Sequence, residues 1–552
     1  MAPHSASPLA GRTVEPVSAA PWYPDLGDGR YRNPVLFADY SDPDAIRVGD
    51  DYWLTSSSFT HVPGLPILHS RDLVNWTLVN HALPVLGSTL QPTPRTVAGI
   101  PAGHFDVPRH GGGVWAPSLR HHAGRFWLYY PDPDFGLYLV TAVDPRGAWS
   151  QPVLVKGGKG LIDPCPLWDD DGQAYLVHGW AKSRSGKNNL LTLNQLSADG
   201  SQVTDGDGVV IVDENNAIHG MHTLEGPKLY KRGATYWIFA PVGGVATGSQ
   251  AVYRSKHIRG PYERRIVLAQ GATTVNGPHQ GAWVDTPAGE SWFLHFQDRG
   301  AFGRVVHLQP LAWREDGWPE LGTAVATGEA TGEPVLVHEK PAIAPVASAH
   351  SPTLAASDTF DLPQLGLQWQ WPANPRASWY SLTEKPGVLR LQAVASPAAT
   401  SRYHAPNLLL QKFPGPAFTA ITRVDFSGAT EGTEAGLIVF GSSYAWIGLR
   451  KTPAGLRIVQ CVAMDADKGG AERDVASVAT IDQRIFLRVS IDRDARCRFA
   501  FSLDEGSYSN FGDEFPATAG RWVGAKVGLF AACPPNQESS GHVDFGFFRV
   551  TA

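Results

Sequence analysis

Asp42-Pro43-Asp44, followed by Gly49-Asp50-Asp51-Tyr52-Trp53, is the first of five versions of one pattern. A small or acidic residue beside Pro leads into a strand, a Gly with polar neighbours turns the chain, and an aromatic-rich strand returns. The other versions are Trp115-Ala116-Pro117 with Gly124-Arg125-Phe126-Trp127; Asp163-Pro164-Cys165-Pro166 with Gly172-Gln173-Ala174-Tyr175-Leu176; Glu225-Gly226-Pro227 with Gly233-Ala234-Thr235-Tyr236-Trp237; and Asn276-Gly277-Pro278-His279 with Gly289-Glu290-Ser291-Trp292-Phe293. A repeat of roughly 40–60 residues that holds several strands is the mark of a β-propeller, each copy forming a four-stranded blade. Phe126-Trp127-Leu128-Tyr129-Tyr130 and Gly136-Leu137-Tyr138-Leu139-Val140, joined through Asp132-Pro133-Asp134, read as two such strands. The longest interval between copies contains the Pro/Gly-rich stretch from Gln91 to Gly113, which is predicted to be a long loop near the functional face.

The rest of the chain is read outward from that repeat. With 552 residues, the protein exceeds one ordinary core. Residues 1–29 read as a tail, 30–338 as a five-bladed propeller and 339–357, with Pro341, Pro345 and Pro352, as a linker. Residues 358–552 carry alternating or continuous apolar runs between Gly and Asp turns, as in Ala435-Gly436-Leu437-Ile438-Val439-Phe440, and predict a jelly-roll β-sandwich. The fold class is therefore all-β, with few helices.

Composition narrows the function. The 46 basic and 52 acidic residues give a net charge of −6 with no basic stripe, which argues against a nucleic-acid partner. No apolar run approaches the ~20 residues of a membrane-spanning helix. The 18 Trp and 16 Tyr suit carbohydrate, whose apolar ring faces stack on aromatics, although strand cores account for most of them. Cys165, Cys461, Cys497 and Cys533 match no metal spacing; Cys165 reads as a buried thiol, and a bridge among the other three is left open. The Pro/Ala/Ser-rich start, without a basic or an apolar signal region, reads as a mature exported N-terminus, which favours the periplasm or the cell exterior, with the cytoplasm as the alternative.

On a propeller, equivalent positions of different blades converge at one end of the axis. Asp42, Asp163 and Glu225 are therefore expected to be spatial neighbours. One carboxylate that activates water, one carboxyl that protonates a leaving oxygen and a third that tunes the second are what glycosidic cleavage requires. A lone Asp-Pro more often caps a turn, but three in register across blades weaken that reading. Asp44 falls on the same strand face as Asp42 by the period-two rule and is its rival. Asp169-Asp170-Asp171-Gly172 lacks the spacing of a calcium loop and reads as a hairpin turn.

The ordered set Asn33-Pro34-Val35-Leu36, Asp42-Pro43-Asp44, Arg47-Val48-Gly49-Asp50-Asp51-Tyr52, Pro63-Gly64-Leu65-Pro66-Ile67, His69-Ser70-Arg71-Asp72-Leu73-Val74-Asn75-Trp76, Val114-Trp115-Ala116-Pro117, Ile162-Asp163-Pro164, Leu224-Glu225-Gly226-Pro227, Gly277-Pro278-His279 and Gly303-Arg304 resembles glycoside hydrolase family 43 across residues 30 to 320. The resemblance implies an inverting, exo-acting hydrolase of the α-L-arabinofuranosidase and β-D-xylosidase branches, acting on an oligosaccharide or polysaccharide of hemicellulose. It places the general base on Asp42, the pKa-modulating carboxylate on Asp163 and the general acid on Glu225. Arg304 would bind sugar hydroxyls, and Phe59 and Trp115 would wall the pocket; a salt bridge and blade packing are the competing readings. His279 would touch the substrate side or, through water, a calcium ion on the axis; a packed core histidine is the alternative. The long 91–113 loop and the extra carboxylates Asp132 and Asp134 depart from simpler members. Two other classes compete: a non-catalytic carbohydrate-binding propeller, and a retaining five-bladed fructan hydrolase.

Overall fold

The five turn glycines all adopt left-handed backbone, with φ of 64° at Gly49, 73° at Gly124, 81° at Gly172, 57° at Gly233 and 87° at Gly289. A Cβ at any of them would meet nothing within 4 Å, so conformation and not space selects glycine. Each turns the first hairpin of one antiparallel four-stranded sheet in a computed structural model that describes residues 20–87, 97–216, 222–326, 331–343, 354–398, 400–535 and 541–552. The five first strands are Asp44–Val48, Ser118–His122, Leu161–Trp168, Lys228–Arg232 and His279–Asp285, and within every blade the four strands are laid down in chain order. The Asp169–Gly172 run is a turn: the Asp169 N–H donates to Gln173 O, and the Gly172 N–H to Asp169 O.

The aromatic pattern explains how the blades pack. Alternating strand residues face the next blade, so each interface holds its own apolar core. Trp53 and Ile67 of blade 1 meet Leu119 and Phe126 of blade 2. Tyr129 and Leu139 of blade 2 meet Leu161 and Leu176 of blade 3. Cys165 and Val177 of blade 3 meet Leu229 and Ile238 of blade 4. Trp237 and Phe239 of blade 4 meet Phe293 and Trp318 of blade 5, and Leu294 and Val306 of blade 5 close the ring against Tyr52 and Leu54. Arg30–Arg32 pairs with Val337–Glu339, which ties the two ends of the propeller together. Residues 20–29, read from sequence as part of a tail, include Trp22, whose ring packs on Phe37 and whose Nε1–H donates to Pro34 O at 2.8 Å. Residues 1–19, Gln91 to Arg95 with its neighbour Thr96, and 344–353 of the linker lie outside the described residues.

The second domain is a sandwich of an eight-stranded and a seven-stranded sheet. Phe418–Asp425 and Arg484–Ile491 alternate buried and partly exposed residues, as half-buried antiparallel strands should. Its core does not stop at the domain edge: Phe37, Ala301, Phe302 and Val305 of the propeller belong to the same apolar cluster as Leu409, Phe413, Ala525 and Val527. Backbone pairing extends the junction, since Val62 and Trp371 exchange N–H···O bonds of 2.8 and 2.7 Å. Asn374 adds two side-chain bonds to Leu86, both 2.9 Å. All four cysteines are buried, and the thiols of Cys461 and Cys497 are free, so no bridge forms among Cys461, Cys497 and Cys533.

Candidate active site

A cavity of about 400 Å³ opens at one end of the propeller axis, and Asp42, Asp163 and Glu225 all line it. Strand registers explain the convergence. Asp163 sits in a β-bulge between Ile162 and Cys165, with φ of 56°. Asp42 precedes its strand, with φ of 54°. Left-handed backbone at a non-glycine residue is costly and concentrates at functional sites. It also separates Asp42, which lines the cavity, from Asp44, which does not. The period-two rule requires extended backbone at both residues, and Asp42 is not extended. Asp44 turns away to accept hydrogen bonds from Leu119 N–H and Arg120 Nη1–H, each 2.7 Å, at the interface with blade 2.

Asp42 is only 6% exposed and is surrounded by donors. Ser41 Oγ–H donates to Oδ2 at 2.7 Å, Ser57 Oγ–H donates to the same oxygen, and Arg304 Nη1–H reaches Oδ1 at 3.3 Å. Arg304 also donates to Ser41 Oγ at 2.6 Å. It lines the cavity, and its charge faces the Asp42 carboxylate as well as the open space. Phe59 and Trp115 line the same cavity with rings 6.4 Å apart, edge to face. Phe59 is held in left-handed backbone at φ 52° by paired bonds with Val114, and Gly113 has no side chain because a Cβ there would lie 2.4 Å from Phe59 O.

The glycine after Glu225 positions it. Gly226 has φ of 59°, its N–H donates to Asp163 Oδ2 at 2.7 Å, and a Cβ on it would collide with the Gln280 side chain. Left-handed backbone and the packing of Gln280 therefore select glycine at this position. His279 Nε2–H donates to Glu225 Oε1 at 3.1 Å. Burial, with the Glu225 charge second, pushes Asp163 well above the usual carboxylate range, against the Gly226 N–H and Lys228. Asp163 thus retains its proton at a pH where an exposed carboxyl would have lost it.

That shift has a stability consequence. A carboxyl with a raised native pKa binds its proton more tightly folded than unfolded, so stability falls as pH rises from the unfolded value near 3.8 toward the native one. Asp163→Asn removes this penalty and keeps an acceptor for Gly226. It should raise the melting midpoint by about 2–4 °C at pH 7, with the gap closing toward pH 4. Thermal melts across that range check the sign; an Asn variant that melts lower at pH 7 would contradict it.

His279 is completely buried and does not line the cavity; it stands behind Glu225. The bulge between His279 and Gly281 is the reason: the extra residue, Gln280, with φ of 34°, takes the place that faces the cavity. A calcium ion wants six to eight oxygen ligands. His279 offers one buried, unbonded ring nitrogen, Nδ1, and no group of three His, Cys, Asp or Glu is poised for a metal among the described residues. The donor set here does not fit calcium. Asp132 and Asp134 also stay out of the cavity. Burial pushes Asp132 up to about 7, while Asp134 accepts a 3.2 Å bond from Arg184, whose guanidinium lies 5.5 Å over Trp115.

One wall comes from the sandwich. Trp522 lines the cavity, with its ring 6.3 Å from Trp115, edge to face. Tyr508-Ser509-Asn510-Phe511, the loop with aromatics legible in the sequence, does not reach it: Phe511 packs on Phe501 within the sandwich. Another wall is the end of blade 3's second strand, at Trp180, and the insertion after it, with Lys182 and Asn188.

The model of the Glycosyl hydrolases family 43 matches residues 31–319, more than half of the chain. The chain belongs to this family. Residues 357–551 match a second model, the beta xylosidase C-terminal concanavalin A-like domain, so the sandwich of this family 43 member is of that type. A protein of Formosa agariphila named as a beta-xylosidase is 30% identical over 95% of this chain and 90% of its own length. A non-reducing end alpha-L-arabinofuranosidase of Bacteroides ovatus is 31% identical over 75% of this chain and 74% of its own. Among solved structures, a xylan beta-1,4-xylosidase from Bacillus halodurans aligns with a TM-score of 0.79 at 25% identity, covering 94% of this chain and all of that one. As a family 43 member, the protein is a glycoside hydrolase, and its substrate is carbohydrate.

Proposed function

We propose that this glycoside hydrolase removes single terminal pentosyl residues, β-D-xylosyl or α-L-arabinofuranosyl, from hemicellulose-derived glycans, with inversion. The observation that carries the reading is one cavity holding both Asp42, which accepts every hydrogen bond described for it, and Glu225, beside the proton-retaining Asp163. Asp42 takes a proton from a water on one face of the sugar ring. Glu225 gives a proton to the glycosidic oxygen on the other; His279 occupies its Oε1, which leaves Oε2 for that transfer. Asp163, which holds its proton, stands beside Glu225 and is linked to its segment through the Gly226 N–H. Inversion asks for the two carboxyls about 6.5–9.5 Å apart, with the water between them. A cavity near 400 Å³, walled by Phe59, Trp115 and Trp522, suits one ring and the start of a leaving group better than the middle of a polymer. The names of the relatives support the two pentoses.

Nitrophenyl β-xyloside and nitrophenyl α-arabinofuranoside, assayed side by side, separate the two sugars. Proton NMR of the first product formed should show the opposite anomer to the substrate. Net retention would exclude the mechanism and favour a fructan-hydrolase-like pair of carboxyls about 5–5.5 Å apart. Binding without release of any sugar would favour the non-catalytic reading.

A further inference from the structure

Asp39 is a buried carboxylate, 3% exposed, three residues before Asp42. Its two oxygens serve two domains. Oδ1 accepts the backbone N–H of Arg304, at 2.9 Å, from the propeller. Oδ2 accepts the backbone N–H of Gly524, at 3.0 Å, from the sandwich. Two glycines are squeezed around it: a Cβ on Gly303 would lie 2.5 Å from the Asp39 side chain, and a Cβ on Gly524 would lie 2.6 Å from Gly303 N. The Ala525 N–H donates to Ala301 O at 2.7 Å in the same contact. Lys412 donates to the Asp39 carbonyl, and Lys526, which burial pushes down to about 7, feels the Asp39 charge. Trp522 stands two residues before Gly524, at φ 65°, on a tight turn closed by Gly520 N–H to Val523 O.

We propose that Asp39 is a positioning residue that sets the Trp522 wall of the pocket against Arg304, so that the width of the sugar site is fixed by one interdomain carboxylate. This rests on the reading of the cavity as the active site. The chemistry requires an acid at this position. Both partners are N–H donors, and a carboxylate can accept from both. An Asn of the same shape offers one acceptor oxygen and one NH2, so one of the two donors is left facing another donor. The propeller side is secured independently, because Arg304 pairs with Asp298 and Tyr40 N–H donates to Arg304 O. On the sandwich side the Ala525 N–H to Ala301 O bond holds the chain one residue later, so the loss frees the Gly524 peptide and the Trp522 turn that precedes it.

Asp39→Asn, measured on a nitrophenyl pentoside in the full-length protein, should raise KM by about tenfold with kcat within about threefold, the size of one lost buried hydrogen bond. Trp522→Ala should show the same split, and the double variant should be no worse than the poorer single one. Gly524→Ala reaches the same junction without altering Asp39, so it supplies the test should Asp39→Asn fail to fold; it too should raise KM and leave kcat nearly unchanged. Unchanged KM in a folded Asp39→Asn or Gly524→Ala variant would overturn the proposal, as would effects of Asp39→Asn and Trp522→Ala that simply add. Absence of sugar release from the unaltered protein would instead overturn the assignment of the cavity.

Discussion

Glu225→Gln should lose about 10²–10⁴-fold in kcat on an unactivated xylo-oligosaccharide, the range for removing a positioned general acid. On a nitrophenyl pentoside the loss should be far smaller. Nitrophenolate is a stable leaving group and departs without being protonated. Asp42→Asn should behave differently, with a severe loss on both substrates, because water must be activated whatever the leaving group. The structure makes Gln a clean probe at position 225. The side chain is only partly buried, His279 Nε2–H needs just one acceptor oxygen, and Gly226 rather than Glu225 supplies the backbone contact to Asp163. Equal losses on the activated and unactivated substrates would remove Glu225 from the acid's role. Full activity of Asp42→Asn would remove the base.

Deleting residues 358–552 should abolish activity and leave an insoluble or aggregating propeller. Two separate losses are involved. The cavity loses Trp522 and the junction that holds it. The propeller also loses the other half of a shared core, exposing Phe37, Ala301, Phe302 and Val305 together. These side chains are 9% exposed or less in the intact protein, and a contiguous apolar face of that kind promotes association. Size-exclusion chromatography with a pentoside assay checks both losses. A soluble, monomeric and fully active 1–357 fragment would show that the sandwich is a passenger.

The blades were legible because their signals are local: a left-handed glycine, a polar turn and a returning aromatic strand each need only a few residues. The convergence of Asp42, Asp163 and Glu225 on one cavity came from aligning those copies. The features that could not be read depended on single-residue departures from the repeat. The choice between Asp42 and Asp44 turned on a φ of 54° that no periodicity encodes. The exchange of His279 for Gln280 at the cavity turned on one bulge. Trp522 had no local signal at all. It sits on a polar turn of a different domain, and its place at the pocket is set by Asp39, 485 residues before Gly524. The more aromatic 508–511 segment packs within the sandwich instead, so aromatic composition does not by itself mark the residue that docks at the pocket.

That 485-residue separation also orders events at the ribosome. Domains emerge and fold from the N-terminus. All three carboxylates are therefore in the cell long before the wall that encloses them. Until the distal sandwich has been made, the chain holds these carboxylates on an open face without the Trp522 wall. Premature termination, or loss of the distal sandwich, would leave the three carboxylates on a propeller stripped of its wall and of half its junction core, and the hydrolase mute. Catalytic competence is in this sense a certificate of complete synthesis.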